Sequence, residues 1–251
     1  MKRAIVLLII LLSLAGCSHS GNSREGAIEK EVCPVVDSYL ENAAAGNWQG
    51  VFDTLTGEAL AGAKANAGQV KATGEKIIYK KLRATRVSED IAKVSADFTV
   101  SSGGDFNRIA YIFDLVRNGD GWRIYKMSWG EYLHDDLIPG QLPTNVAGVI
   151  REYLEMPYAD KKAKAHLYLS GKLFQDSEKS KALPVETKTY GVLQKTVTTV
   201  KSLECLGLSD DYAVVKAACS VERDGAAKDT SFLIETVFVN GTWKIAGIEI
   251  L

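Results

Sequence analysis

The sequence has no run of basic residues and almost no excess of charge of either sign. Its 251 residues carry 30 Lys+Arg against 31 Asp+Glu, which gives a net charge of -1 and a pI near 6.3. Proteins that bind nucleic acid neutralise phosphates with clustered Lys and Arg, so no nucleic-acid partner is expected. The composition, 46% hydrophobic and 24% charged, is that of a folded globular chain.

Signatures of common catalytic sites are missing as well. The chain has 3 histidines, and only His134 and His166 lie beyond the N-terminal segment. We find no metal-ligand spacing, nucleophile elbow, phosphate-binding loop or dinucleotide fingerprint. The sequence therefore predicts no bound metal and no cofactor.

The N-terminal apolar run is too short to be a permanent membrane helix. Two basic residues precede the apolar residues 4–12, whereas about 20 apolar residues are needed to cross a bilayer. This layout is typical of an export signal. Residues 14–17, Leu-Ala-Gly-Cys, resemble the lipobox of bacterial lipoproteins, and the alternative is an ordinary secretory signal with an incidental Cys17.

The lipobox resemblance implies where the protein resides. It implies that the signal peptide 1–16 is removed and that lipid is attached to Cys17, so that lipid holds the protein on the membrane. We expect an exported protein, anchored to the cell membrane or outer membrane on the periplasmic or cell-surface side. Residues 17–27 are polar and rich in Gly and Ser, which indicates a flexible tether.

Three more cysteines follow the tether: Cys33, Cys205 and Cys219. A compartment outside the inner membrane permits disulfides. Cys205 and Cys219 flank a predicted hairpin turn, and the sequence leaves two alternatives open for them. They form either a disulfide or two buried thiols, because disulfide geometry is demanding.

The sequence contains an internal repeat, since one series of residues returns in the same order farther along the chain. In the first half these are Tyr39, Leu40, Glu41, Leu55, Gly57, Ser88, Asp90, Ala92, Val94, Ala96, Val100, Gly104, Val116, Trp122 and Ile124. Their counterparts are Tyr153, Leu154, Glu155, Leu169, Gly171, Ser209, Asp211, Ala213, Val215, Ala217, Val221, Gly225, Val237, Trp243 and Ile245. The repeat predicts two tandem domains, 28–133 and 146–251, joined by a linker at 134–145 that contains Pro and Gly.

In each copy the spacing of the apolar residues changes once along the chain, from a helical to a strand pattern. Apolar residues spaced for helices come first. Strict alternation over 92–100 then predicts a strand with one buried and one wetter face, and Gly- and Asn-containing turns at 118–121 and 240–241 predict closing hairpins. Helices followed by antiparallel strands predict an α+β fold in each copy.

Four short motifs resemble the nuclear-transport-factor-2-like (NTF2-like) family: a "YL" pair at 39–40, "GNW" at 46–48, "LTGEAL" at 55–60 and "DGWRI" at 120–124. The resemblance implies two tandem cone-shaped domains, each with N-terminal helices packed on the concave face of a curved antiparallel sheet. The family includes isomerases and dehydratases as well as pure binding and assembly modules, so fold alone does not choose between these functions.

Two acids occupy equivalent strand positions and are the candidate site residues. If the closing hairpin pairs Arg117 with Trp122, Asp114 faces Tyr125 and has Arg123 as a diagonal neighbour. Glu235 then stands in the same relation to Lys244. Such a carboxylate can be a general base in a pocket or a member of a structural ion pair. The sequence favours the structural interpretation, because neither acid has a repeated His, Tyr or Asn beside it.

These observations favour a membrane-anchored, non-catalytic binding or assembly module of the cell envelope, whose partner is an unknown envelope protein or small ligand. The alternative is an enzyme of the ketosteroid-isomerase or SnoaL type that uses Asp114 or Glu235.

The strands of the closing hairpins are apolar on both faces, and such a sheet needs a cover on each. We therefore expect an intrachain pseudo-dimer in which the two sheets cover each other. On the register assumed above, its interface contains Met127 and Trp129 from one copy and Ile248 and Ile250 from the other.

Overall fold

The computed structural model describes residues 25–67, 75–119, 121–182 and 196–251. The predicted signal peptide 1–16, Cys17 and the first part of the tether lie outside the described residues. Within the described ranges, none of the helices combines the length and the apolar composition needed to span a membrane.

The chain forms two units of the same construction, each with three helices followed by four strands. Unit 1 consists of α1 (Glu25–Ala45), α2 (Trp48–Thr54), α3 (Gly57–Asn66), β1 (Lys76–Arg86), β2 (Ile91–Ser102), β3 (Asp105–Asn118) and β4 (Gly121–Trp129). Unit 2 consists of α4 (Thr144–Glu155), α5 (Tyr158–Tyr168), α6 (Gly171–Ala182), β5 (Val197–Leu208), β6 (Tyr212–Arg223), β7 (Ala226–Val239) and β8 (Thr242–Ile250). Each sheet is an antiparallel meander, in the orders β1-β2-β3-β4 and β5-β6-β7-β8. The predicted α+β fold is confirmed.

Helix α1 forms because its apolar residues recur every fourth position. Ile28, Val32, Val36 and Leu40 are all buried against the sheet. The helix begins at Glu25, inside the segment 17–27 that was predicted to be tether. As a result Pro34 lies within the helix and not in its first turn. Its side chain faces solvent, and its missing N–H leaves one helical hydrogen bond unmade.

The core of each unit lies between its helices and one face of its sheet. In unit 1, Phe113, Leu115 and Ile124 are fully buried, and the Phe113 ring meets the Tyr39 ring edge to face at 5.6 Å. In unit 2, Ile234 and Ile245 are equally buried beneath α4. Side chains therefore fill the space between the helices and the sheet in both units.

The two units also agree in a local detail, the junction into the third helix. The N–H of Thr56 donates to the carbonyl of Ile124 at 2.9 Å, and the N–H of Ser170 donates to the carbonyl of Ile245 at the same distance. The next residue in each unit is a glycine with positive φ, 51° at Gly57 and 59° at Gly171. A left-handed backbone favours glycine, which explains why these positions match in the sequence repeat.

A β-bulge in each closing hairpin changes the predicted register. Arg117 pairs with Trp122 as predicted, but the register shifts after Leu115, so Asp114 lies opposite Lys126 and Tyr125 is the extra residue. In unit 2, Glu235 lies opposite Gly247 and Ala246 is the extra residue. A one-residue shift moves every following side chain to the other face of the sheet.

The bulges make the predicted interface residues wrong. Met127 and Trp129 pack against the core of unit 1, and Ile248 packs against the core of unit 2. Ile250 is 71% exposed. The residues that do connect the units lie elsewhere on the two sheets.

Of the two alternatives left open for the cysteines, the structure has free thiols. Cys205 lies opposite Val215, and Cys219 lies opposite Val200, so the two are not cross-strand neighbours. Cys219 is buried, and Cys33 and Cys205 are half-buried.

We expect selective alkylation of these thiols in the native protein. Burial raises the pKa of Cys33 to about 11 and also raises the pKa of Cys219. Because each pKa unit reduces the thiolate tenfold, Cys33 should react with iodoacetamide at pH 8 roughly a hundredfold more slowly than an ordinary thiol, and faster as the pH rises toward 11. Cys205 should react first, as measured by mass spectrometry of peptides. If neither Cys205 nor Cys219 were labelled, and a reductant restored the labelling of both, the two would instead form a disulfide.

Candidate functional site

The two units meet through the outer faces of their sheets, which are the faces turned away from their own helices. Unit 1 contributes residues of β3 and of the segment after β4, and unit 2 contributes residues of β6, β7 and β8. An apolar cluster at this contact contains Phe106, Tyr132, Leu137, Tyr212, Val214, Val237, Val239 and Ala246. The contact buries part of the face that the alternation of 92–100 predicted to be wetter, and Asp97 and Thr99 are buried as a result.

A buried arginine joins the units at the centre of this contact. The Arg108 guanidinium donates to both carboxylate oxygens of Asp97 in its own unit, Nε to Oδ1 at 2.8 Å and Nη2 to Oδ2 at 2.6 Å. It also donates to the carboxylate of Asp211 in the other unit at 2.9 Å and to the Asp211 carbonyl at 3.0 Å. Arg108 is 1% exposed and Asp97 is fully buried. Charge-assisted, bidentate hydrogen bonds of this kind are the strong ones.

The charges at this centre are compensated on all sides. The N–H of Leu133 donates to Asp97 at 3.1 Å, and the rings of Tyr79 and Tyr132 flank the guanidinium at 5.2 and 5.7 Å. Burial alone would lower the pKa of Arg108, but its hydrogen bonds and the negative charges of Asp97 and Asp211 outweigh burial and raise it. Arg108 therefore remains charged and holds the units together as a permanent cation.

Further polar contacts connect the units around Arg108. The Asn107 side-chain oxygen accepts from the N–H of Gly171 at 2.6 Å, and the Ser170 hydroxyl accepts from the N–H of Arg108 at 2.8 Å. Lys244 donates to the carbonyls of Phe106 and His166, both at 2.8 Å. Its ammonium is desolvated, which lowers the pKa of Lys244.

A cavity of about 480 Å³ lies beside this centre, between the outer faces of the two sheets, and we name it the inter-unit cavity. Its apolar and aromatic lining consists of Ala110, Trp129, Tyr132, Leu137, Tyr212, Val214 and Ala246. Its ionisable lining consists of Glu131, His134, Lys172 and Glu235. The mixture of apolar walls with a few polar groups is typical of small-molecule sites.

Glu235 is the one candidate acid that lies in this cavity. Burial raises the pKa of the neighbouring Tyr212 hydroxyl, and the Glu235 charge raises it further. The carboxylate extends across Gly247, where a Cβ would lie 2.6 Å from Oε2. The predicted partner Lys244 does not contact it, and none of the ion pairs found among the described residues involves Glu235. The prediction of a Glu235–Lys244 pair is wrong because the Lys244 ammonium donates to the carbonyls of Phe106 and His166 instead.

Asp114 lies outside the cavity and has a different partner from the one predicted. Its carboxylate forms an ion pair with Lys93 of β2 at 3.6 Å, and its neighbour across β4 is Lys126. Arg123 instead donates to the carbonyl of Trp122 at 2.9 Å. Asp114 thus has a basic partner, although not Arg123, and Tyr125 does not face it because Tyr125 is the bulged residue.

The sequence pattern does not indicate His134 or Tyr212, which line the cavity together with Glu235. The His134 ring stacks on the Tyr212 ring with centroids 4.6 Å apart and planes 18° apart. Its Nδ1 lies 2.9 Å from the Asp135 carbonyl, which can only accept, so Nδ1 is the donor in that bond. Both Tyr212 and His134 lack a repeated counterpart, so comparing the two copies does not single them out.

No protein-family model and no curated protein sequence matches the chain. Among solved structures, one described as an "Ntf2 like protein involved in plasmid conjugation" is similar, with a TM-score of 0.31 and 12% sequence identity. The match covers 81% of this chain and 86% of that chain. The α+β assignment rests on the helices and sheets described above.

Proposed function

We propose that this protein is a membrane-anchored envelope lipoprotein that acts as a non-catalytic binding or assembly module built from two NTF2-like units. The observation that carries the proposal is the contact between the units. Hydrogen bonds and ion pairs of Arg108, Asn107 and Lys244 join the two sheets into one body. Such a body presents fixed surfaces to a partner, as an assembly module requires.

The filled cores argue against an enzyme of the ketosteroid-isomerase type. The resemblance implies that such an enzyme works with a carboxylate inside the cone, between helices and sheet. Here Phe113, Leu115 and Ile124 occupy that space in unit 1 and are fully buried. Asp114 points to the opposite face and is neutralised by Lys93.

Glu235 is also an unsuitable general base in the arrangement found here. It lies on the outer face of its sheet, in the inter-unit cavity, and not in the space between helices and sheet. Its position suits binding better than proton transfer.

The lipobox supports the membrane anchor, and Cys17→Ala tests it. Acylation requires the thiol, so this variant should lose metabolic labelling with a fatty-acid probe and move from the membrane fraction to the soluble fraction. Cys33→Ala is the matched control and should stay labelled and membrane-bound. Labelling that survives in Cys17→Ala would contradict the anchor.

The same preparations test the non-catalytic module. Chemical cross-linking in intact envelopes should yield a discrete complex larger than the protein alone, and Asp114→Asn and Glu235→Gln should form it as the wild type does. Isomerisation of an unsaturated ketosteroid by the wild-type protein, abolished by Glu235→Gln, would establish the enzyme alternative and refute the module.

A further inference from the structure

We propose that the inter-unit cavity binds a small organic cation, with an ammonium group held against Glu235 and the aromatic rings around it. The inference rests on the proposed function, because it names the class of ligand that a binding module of this shape would take. It concerns a site between the units, outside both cones.

The size of the cavity fits a ligand of this class. Its volume of about 480 Å³ falls within the range of roughly 300–1,000 Å³ that is usual for ligand pockets. Ala110, Leu137 and Val214 give it apolar walls that suit the methyl and methylene groups of an alkylammonium ion.

The charge at the inner wall of the cavity selects a cation. Glu235 is half-buried and has no basic partner among the described residues, whereas its counterpart Asp114 is paired with Lys93. Glu131 and Lys172, the other two charged groups of the lining, are exposed and of opposite sign. The uncompensated charge of the cavity is therefore that of Glu235, and a buried charge is stable only with a counter-ion or hydrogen bonds.

Tyr212 prepares the carboxylate for this role. Burial raises the pKa of Tyr212, and the nearby charges of Glu235 and Glu131 raise it further, so its hydroxyl keeps its proton beside Glu235. A carboxylate has about four acceptor positions, which leaves room for a ligand beside the tyrosine. Gly247 keeps that room open, since a side chain there would displace the Glu235 carboxylate.

Aromatic rings complete the site. Tyr132 and Tyr212 line the same cavity as Glu235. The faces of aromatic rings attract cations, and quaternary ammonium ligands are recognised by such rings. A carboxylate surrounded by aromatic rings discriminates an ammonium ion from a neutral molecule of equal shape.

The experiment compares choline with its neutral isostere 3,3-dimethylbutan-1-ol, using the ring resonance of Tyr212 in the intact protein as the probe of occupancy. Choline should shift this resonance at millimolar concentrations, and the neutral alcohol should bind at least about tenfold more weakly, which corresponds to about 1.4 kcal/mol. Glu235→Gln should weaken choline binding by a similar factor, because it removes the charge and keeps the shape.

Asp114→Asn is the matched control, since it removes the same charge at the equivalent position of the other unit and should leave choline binding unchanged. Gly247→Ala is the second variant and should weaken binding by moving the carboxylate. Equal binding of choline and the alcohol, unchanged binding in Glu235→Gln, or no response to choline would each overturn the cation site. The envelope cross-linking described above is unaffected by these outcomes, so failure of the cation site and failure of the module are distinguishable.

Discussion

Replacing Arg108 with Met is expected to lower the free energy of unfolding by about 3–5 kcal/mol, the usual cost of removing one partner of a buried ion pair. Asp97 would then be a fully buried carboxylate whose remaining donor is the N–H of Leu133. The variant also loses the hydrogen bonds to Asp211 and to the Phe238 carbonyl, which lie in the other unit. Denaturant unfolding of the purified protein, followed by tryptophan fluorescence, measures the loss.

Arg117→Met is the matched control, because it removes an arginine from an exposed ion pair instead of a buried one. Arg117 pairs with Glu31 at 3.0 Å, but both side chains are 40% exposed, so its loss should cost far less stability than the loss of Arg108. A double variant, Arg108→Met with Asp97→Asn, should be less destabilised than the sum of the two single variants, because the second change removes the orphaned charge. Equal effects of Arg108→Met and Arg117→Met would refute the central role assigned to the buried cluster.

The periodicity of the sequence was sufficient to predict the architecture. Four-residue spacing in α1 and two-residue alternation in β2 specify the element types directly, and the repeated series of residues specifies that the pattern occurs twice. The glycines Gly57 and Gly171 recur because both units need the same left-handed turn. Local physical requirements of this kind are visible in a single sequence.

The candidate site was not predictable to the same degree, because one extra residue in each closing hairpin decides which face a side chain occupies. Composition gives no marker for Tyr125 or Ala246 as bulged residues, and a register without the bulge assigns Trp129 to the wrong face. The Glu235–Lys244 pair failed for another reason, since Lys244 donates to the carbonyls of Phe106 and His166 where the units meet.

The cluster around Arg108 was missed for a different reason. Arg108 and Asp211 are 103 residues apart in the chain, and their contact depends on how two finished sheets dock. The repeat offers no help, since the position equivalent to Arg108 in unit 2 is Asp229 and the position equivalent to Asp97 is Ala218. Asp211 does belong to the repeat, but its counterpart Asp90 gives no indication of a partner in the other unit.

Gly57 and Gly171 are equivalent in the two units, but only Gly171 lies against the other unit. We therefore expect Gly171→Ala to lower the stability of the protein more than Gly57→Ala does. Both have φ between 51° and 59°, so alanine costs each about 1–2 kcal/mol of backbone strain. A Cβ at Gly57 meets open space, whereas a Cβ at Gly171 overlaps the Tyr132 hydroxyl and lies 3.2 Å from the Arg108 carbonyl oxygen. Overpacking typically adds about 1–3 kcal/mol, so Gly171→Ala should cost about 2–5 kcal/mol in total.

The difference between the two variants isolates the contact between the units, because backbone strain is common to both. Unfolding by denaturant should show Gly171→Ala to be the less stable of the two by at least about 1 kcal/mol. Tyr132 donates to the Arg108 carbonyl at 3.3 Å and cannot simply turn aside. Combining Gly171→Ala with Tyr132→Phe removes the overlapping hydroxyl and should recover part of the loss, whereas Tyr132→Phe should not rescue Gly57→Ala. Equal stability of the two alanine variants would mean that the third helix of unit 2 does not pack against unit 1 as described.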